Sequence, residues 1–345
     1  MFFICIAAMC AAASPVFAAE RLKSDESVMF LPGLAVEQAD GAFIVNIDAW
    51  VFELESRRVL SSMLASWMGV DLGTLSPAQK ALFIERTRYF RTDSERGKRL
   101  RVRLAGEVFT MPRTDPAGRT HDELRIGREQ IQWTGPDGFG SVSWTLEAPG
   151  HAAHGQKGYA SVIPAEGVSI VSDIDDTIKI SNVLDKKALV RKTFLAPFEA
   201  APGMSQWYRE MAGNERLGFF HYLSSSPIQL FAALSEFLKD ERFPPGILHL
   251  RESTSWRTMH ADRETSIAHK KNILTRLLTT YPQRKFILIG DSGENDPEIY
   301  ADIARIYPEQ ILAIHIRNVT NEERDAPRYQ KTFEGISPQI WHIRD

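Results

Sequence analysis

Val168-Ser169-Ile170-Val171-Ser172-Asp173-Ile174-Asp175-Asp176-Thr177 is a short apolar run that ends on three carboxylates within four residues. Five residues of this kind have the length and β-branched content of a buried strand. Carboxylates so close together repel one another unless a cation sits among them. A calcium loop of the EF-hand type is excluded, because it needs Gly and Glu where this chain has Ile178 and Leu184. A merely acidic turn is the plain alternative, and the neighbouring segments have to decide between the two.

From about residue 165 onward, strands alternate with helices. Phe219 to Leu223, Phe286 to Ile289 and Ile311 to Ile316 read as further short apolar strands, with helical spacing over Pro227 to Lys239, about Thr265 to Thr280, and Pro297 to Ile306. This alternation implies a parallel sheet covered on both faces, whose ligands bind at the carboxyl ends of the strands. The polar clusters fall at those ends. Gly290-Asp291-Ser292-Gly293-Glu294-Asn295-Asp296 presents Asp291 and Asp296 as hard oxygen ligands from a Gly-rich turn, suited to Mg²⁺. Leu223-Ser224-Ser225-Ser226-Pro227 offers hydroxyls and N–H groups as an anion seat, with Pro227 expected in the first turn of a helix. An ordinary Ser N-cap is the bland reading of that segment. His269-Lys270-Lys271 places a cation early in a helix, where it is either solvated surface or the charge a phosphoryl group needs.

Strand-DxDxT, strand-Ser, helix-Lys, strand-GDxxxxD, in this order, resembles the motif set of the haloacid dehalogenase superfamily. The longer strings Ser172 to Lys179, Tyr222 to Pro227, Ile289 to Gly293 and Asp296-Pro297-Glu298-Ile299-Tyr300 are similar to the catalytic domain of the actin-patch-protein type phosphatidate phosphatases. Glu95-Arg96-Gly97-Lys98 and its surroundings look like the β domain that precedes it in bacterial members. One departure is Ser225, where that branch carries Asn. The resemblance implies a Rossmann-like haloacid-dehalogenase α/β domain over 165–345. It further implies that Asp173 attacks phosphorus to form an aspartyl-phosphate and that Asp175 protonates the leaving alkoxide and then activates water. Asp173, the carbonyl of Asp175, and Asp291 would hold Mg²⁺ with Asp296 in support, while Ser224 and Lys270 grip the phosphoryl oxygens. Lys271 is the rival for that last role. Arg251 and Arg317, both following apolar strands, are candidate headgroup contacts, with surface or structural roles as the alternative.

The rest of the chain frames this domain. Residues from about 25 to 160 read as mostly β, as in the alternating Phe43 to Ile47 and Leu100 to Leu104, with turns at Asp40-Gly41, Gly106 and Asp137-Gly138. A sandwich-like domain is expected here, interrupted by a helical insertion over Glu53 to Trp67 and Pro77 to Tyr89. Arg96, Lys98, Arg99, Arg101 and Arg103 form a basic run, expected to be a solvated strand face rather than a lipid contact. Met1 to Ala19 carries no charge and ends Phe17-Ala18-Ala19-Glu20, the pattern of a secretory leader cut after Ala18 or Ala19. The usual basic residues are missing ahead of Arg21, as they would be if the natural start lay upstream. Pro15 and the short length argue against an uncleaved span, and the bulky Met9 against a lipidated Cys10. Export to the periplasm follows. Both cysteines, Cys5 and Cys10, lie in this leader, so the mature chain would hold no disulfide, thiolate metal site or Cys nucleophile.

With 41 basic and 44 acidic side chains in 345 residues and a net charge of -3, nothing global points to nucleic acid. Only about fifty residues separate the Asp173 loop from Ser224, too few for a large cap domain, so an open cleft is expected. An open cleft suits a phosphomonoester at a bilayer surface, here a phospholipid such as phosphatidate hydrolysed to diacylglycerol. It also suits a soluble periplasmic phosphomonoester. A lipid- or polysaccharide-binding protein on the same scaffold is the reading from another class.

Overall fold

The computed structural model describes residues 20–54, 58–134, 139–213, 217–252 and 262–344. The expected leader over 1–19 and the turn at Asp137-Gly138 lie outside them. No helix among the described residues is long and apolar enough to cross a membrane.

The twelve-residue strand β3 (Phe43–Leu54) organises the first half. One of its edges is shared end to end by β1 (Glu26–Leu31) and β2 (Gly33–Glu37), and the other carries β4 (Thr92–Ser94) and β7 (Arg119–Ile126). From β2 the sheet continues through β10 (Lys157–Val162), β9 (Gly140–Leu146), β5 (Arg99–Leu104) and β6 (Glu107–Arg113), with the short β8 (Gln132–Trp133) on β9. Alternate side chains of these strands, among them Phe43, Val45, Ile47, Leu100, Val102, Trp144 and Val162, meet in one core. The expected sandwich-like pair of sheets is therefore a single ten-stranded sheet coiled around one core. The reason lies in β3, which is long enough to hold β1 and β2 in succession and so carries the sheet round without a break. The basic run behaves as a solvated face. Arg99, Arg101 and Arg103 alternate outward from β5; Arg99 pairs with Glu20 at 3.2 Å and Arg103 with Glu147 at 2.7 Å. Lys98 instead turns inward to Glu26, 2.6 Å away.

The insertion between β3 and β4 forms helices Arg58–Trp67 and Pro77–Arg86. Ser76 starts the second with a capping box to Gln79, followed by Pro77, whose fixed φ suits the first turn. These helices do not serve the coiled sheet. Leu64, Ala65 and Phe83 belong to the same core as Ile170, Ile174, Phe194 and Phe220 of the second half, and the Arg86 Nη1 donates to the Thr193 carbonyl at 2.9 Å.

The second half is a six-stranded, wholly parallel sheet: β11 (Val168–Ser172), β12 (Leu217–Pro227), β13 (Gly246–Arg251), β14 (Lys285–Asp291), β15 (Ile311–Arg317) and β16 (Trp341–Arg344). Its order is β13-β12-β11-β14-β15-β16. The chain steps outward from β11 to β13, then crosses back to lay β14 on the other side of β11. That reversal opens a crevice at the strand ends between β11 and β14, where such sheets bind ligands. Ser172 pairs with Tyr222 on one side and Ile289 on the other, so Asp173, Ser224 and Asp291 emerge side by side. Pro227 does not begin a helix. It closes β12 with an extended backbone, ψ 153°, a 3₁₀ turn follows, and the helix runs Phe231–Asp240. Pairing of Pro227 with Arg251 of β13 prolongs the strand past the serines.

The two halves are tied together at the approach to β11. Arg284, buried just ahead of β14, donates from Nε to Ser169 Oγ at 2.7 Å, from Nη1 to the Pro164 carbonyl at 2.8 Å and from Nη2 to the Val168 carbonyl at 2.9 Å; it also bonds the Glu166 carbonyl. Burial pulls its guanidinium down to about 10, still charged at neutral pH. Arg284→Ala would leave these acceptors in the interior without donors, at a cost of about 3 kcal/mol. Urea unfolding should show a clear drop in the midpoint, and an unchanged midpoint would show the guanidinium to be dispensable.

Candidate active site

Asp173 follows β11 directly, its N–H bonded to the Ile289 carbonyl of β14 at 2.8 Å. Its side chain is buried, and both oxygens are oriented: Oδ1 lies 2.7 Å from Lys270 Nζ, and Oδ2 accepts from Thr177 Oγ1 at 3.1 Å. Lys270 also reaches Glu294 Oε2 at 3.1 Å and Asp296 Oδ1 at 2.5 Å. The sequence left Lys270 and Lys271 as rivals, and the helix Arg263–Thr280 separates them. Lys270 lies on the stripe it shares with Leu274, Leu277 and Leu278, the spacing of one buried helix face. Lys271 pairs with Asp302 at 2.6 Å on the surface.

Asp291 ends β14. Its Oδ1 accepts from the N–H groups of Gly293 at 2.6 Å and Glu294 at 3.0 Å, whereas its Oδ2 is buried with no hydrogen-bond partner among the described residues. Asp296 is committed on both oxygens, Oδ1 to Lys270 and Oδ2 to the Asp291 N–H at 3.2 Å. Gly290 makes that approach possible, since a Cβ there would lie 2.4 Å from Asp296 Oδ2. Glu294 was not singled out from the sequence; it lines the cleft, and the only signal for it was one more carboxylate in an acidic turn.

Three carboxylates thus surround one ammonium, with Asp291 near by, leaving an excess of negative charge in a poorly solvated place. Burial first, and then the neighbouring acids, push the Asp173 and Asp291 carboxyls well above the usual range, with Lys270 working against both. Burial opposes charge on Lys270, yet Asp173, Asp296 and Glu294 hold its pKa well above that of an ordinary lysine. Asp173, Glu294 and Asp296 each offer an oxygen within 4.8 Å of one another, and with the unpartnered Asp291 Oδ2 in the next turn this donor set fits a hard divalent cation of the kind that prefers oxygen ligands.

Asp175 is a separate centre. Lys179 Nζ lies 2.6 Å from its Oδ1, which also accepts from Ser181 Oγ at 2.6 Å; Oδ2 accepts from Ser226 Oγ at 3.1 Å and Ser224 Oγ at 3.3 Å. Burial works to raise this carboxyl, but the Lys179 ammonium and these hydrogen bonds outweigh it and bring it down to about 2. Asp175 is therefore ionised, with its carboxylate committed to this network. Ser224 is buried, accepting from the Ser226 N–H at 2.9 Å; Ser226, named in the sequence only as part of the serine run, is its equal in reaching Asp175. Asp176 only shapes the loop, accepting from the N–H groups of Ser181, Asn182 and Val183.

The two arginines proposed as headgroup contacts have structural engagements. Arg317 Nη1 donates to the Asp176 carbonyl at 2.6 Å, and Arg251 Nε donates to the Ser225 carbonyl at 3.2 Å.

A cleft of about 190 Å³ opens at Asp175 and Glu294, while Asp173, Lys270, Asp291 and Asp296 are not among the residues that line it. Asp175, Ser224, Ser226 and Glu294 form its polar floor, and Val183, Leu189, Val190 and Phe194 one apolar wall.

Residues 168–318 match the family described as phosphatidate phosphatase APP1, catalytic domain. Over 197 residues the chain is 34% identical to phosphatidate phosphatase APP1 of Saccharomyces cerevisiae, covering 55% of this chain and 33% of that protein. Over 191 residues it is 34% identical to the uncharacterized protein C29B5.04c of Schizosaccharomyces pombe, covering 53% of this chain and 31% of that one. The chain thus spans about a third of the length of these relatives. A β-glucuronidase of Bifidobacterium dentium aligns with a TM-score of 0.26 at 7% identity over 85% of this chain and 44% of that one, a likeness too weak to bear on the fold.

Crowding of carboxylates has a measurable consequence in the metal-free protein. The folded state keeps a proton on Asp291 that the unfolded chain releases near pH 4, so stability should fall as pH rises above about 4 towards the raised folded value. Asp291→Asn removes one of the repelling charges. In calorimetry with a chelator near neutral pH, it should raise the thermal midpoint, by the equivalent of about 1 kcal/mol. A lowered midpoint would contradict the electrostatic account.

Proposed function

We propose that this chain, whose residues 168–318 belong to the family of APP1-type phosphatidate phosphatase catalytic domains, is a Mg²⁺-dependent hydrolase of a lipid phosphomonoester. Its second half is then a Rossmann-like domain of the haloacid dehalogenase superfamily, and the expected leader would carry it to the periplasm. The observation that carries this reading is the buried meeting of Asp173 and Lys270 at a parallel-sheet crossover, two residues from Asp175 in the lining of a partly apolar cleft.

In the reaction, an oxygen of Asp173 bonds to phosphorus as the bond from phosphorus to the leaving alkoxide breaks, giving an aspartyl-phosphate. Thr177 and Lys270 hold the attacking carboxylate by its two oxygens, so little orientation has to be found on binding. Mg²⁺ held by Asp173, the carbonyl of Asp175, and Asp291, with Asp296 in support, would keep Asp173 ionised and draw charge from the phosphoryl oxygens. Lys270 and the Ser224 hydroxyl supply donors to those oxygens. Asp175 protonates the departing alkoxide, then takes a proton from water as the water oxygen displaces Asp173 from phosphorus. Its ionised state in the resting site suits the second step. For the first, the negative charge of an arriving phosphate raises its pKa and favours uptake of the proton it donates.

The apolar wall favours a lipid ester, which would lay its glycerol and first acyl carbons against Val183, Leu189 and Phe194. A soluble phosphomonoester is the second reading, supported by Asp262, Arg263 and Asn295, polar residues that also line the cleft. Phosphate release should be measured from phosphatidate in mixed micelles, glycerol phosphate and nucleotides, with Mg²⁺ and with EDTA. The expected pattern is hydrolysis of phosphatidate above the others, lost in EDTA and reduced at least about 10³-fold in Asp173→Asn. Undiminished activity of Asp173→Asn would end the mechanism, and a preference for glycerol phosphate would move the substrate to the soluble class.

A further inference from the structure

The apolar wall of the cleft is the inner side of a strap whose outer side meets solvent. Along residues 183–194, Val183, Leu189, Val190, Thr193 and Phe194 line the cleft, whereas Leu184, Lys186, Lys187 and Arg191 are exposed. Leu184 is 66% exposed, the most exposed large apolar side chain among the described residues. No carboxylate lies within ion-pair distance of Lys186, Lys187 or Arg191 among the described residues, in contrast to Lys192, held by Glu199 at 2.7 Å. Asp185, the one acid beside them, caps the helix Lys186–Phe194, accepting from the N–H groups of Lys187 at 2.8 Å and Ala188 at 3.2 Å. Its charge is turned to the helix end. The whole chain carries a net charge of -3, so three cations without an ion-pair partner among the described residues, on one segment with an exposed leucine, are a local reversal.

We propose that this lip seats on an anionic lipid bilayer and brings the mouth of the cleft to the membrane plane. Cations within a Debye length of an anionic leaflet are each drawn to it, and an exposed leucine among them gains by dipping below the headgroups. A flat polyanion would satisfy the cations but leave Leu184 in water. Asp262 and Arg263, which also line the cleft, balance each other in charge and show no such excess among the described residues. The proposal rests on the lipid reading above for its purpose, while the binding itself is independent of the chemistry.

The test is flotation of the mature chain, begun near Glu20, with vesicles of phosphatidylcholine alone or of phosphatidylcholine with phosphatidylglycerol. Binding is expected to the second only, and to weaken as salt rises. The triple variant Lys186→Gln, Lys187→Gln, Arg191→Gln should partition about 100-fold more weakly, and Leu184→Ser about tenfold. Both should hydrolyse soluble p-nitrophenyl phosphate as the wild type does, because none of these side chains lines the cleft. A wild type that stays off anionic vesicles, a triple variant that floats like the wild type, or an equal loss on the soluble ester overturns the lip. Retention on heparin without flotation would assign the cations to a polyanion and overturn it as well. Vesicle binding and soluble-ester turnover with phosphatidate left intact would sustain the lip and defeat the substrate reading instead.

Discussion

The second half of this protein depends on one buried ammonium. Lys270 stands among Asp173, Glu294 and Asp296, within 3.1 Å of an oxygen of each, and without it three elements would converge on like charges. A pair of opposite charges brought into the interior gains little by itself, because desolvation takes back most of the attraction. What Lys270 provides is a fixed geometry. It links the loop after β11, the turn after β14 and the long helix Arg263–Thr280, while burial and the remaining acids raise the affinity of Asp173 and Asp291 for a proton.

A second ammonium, Lys179, does the corresponding work at Asp175. The two carboxylates of the DxD motif are two residues apart in the chain, yet their environments push them in opposite directions. Burial first, and then the surrounding acids, raise the affinity of Asp173 for a proton; Asp175, beside Lys179 and three serine hydroxyls, is held ionised. Separating like groups in this way is how a site acquires distinct roles from identical side chains.

Much of this was legible in the residues. The apolar runs before Asp173, Ser224 and Asp291 are short, β-branched and bounded by polar turns, so both the parallel sheet and its functional edge could be read from them. The inward choice of Lys270 was also written in the chain, as its register with Leu274, Leu277 and Leu278. Other features were not. Pro227 looked like a helix start because its φ suits both a first turn and an extended strand end, and only the pairing with Arg251 distinguishes them. The coiled form of the N-terminal sheet depends on how two strands share one edge of β3, which strand propensity does not encode. Glu294 was hidden because an acid in a polar turn has no periodicity to betray which way it points.

The insertion between β3 and β4 lends Leu64, Ala65 and Phe83 to the core beneath the parallel sheet. A boundary drawn in sequence near residue 160 is therefore not a seam in the folded molecule. The enzyme-like half, produced alone, would bare an oily flank where those helices belong and would tend to aggregate. Any recombination that grafts this half onto another partner would have to carry the two helices along, or refill the space they occupy.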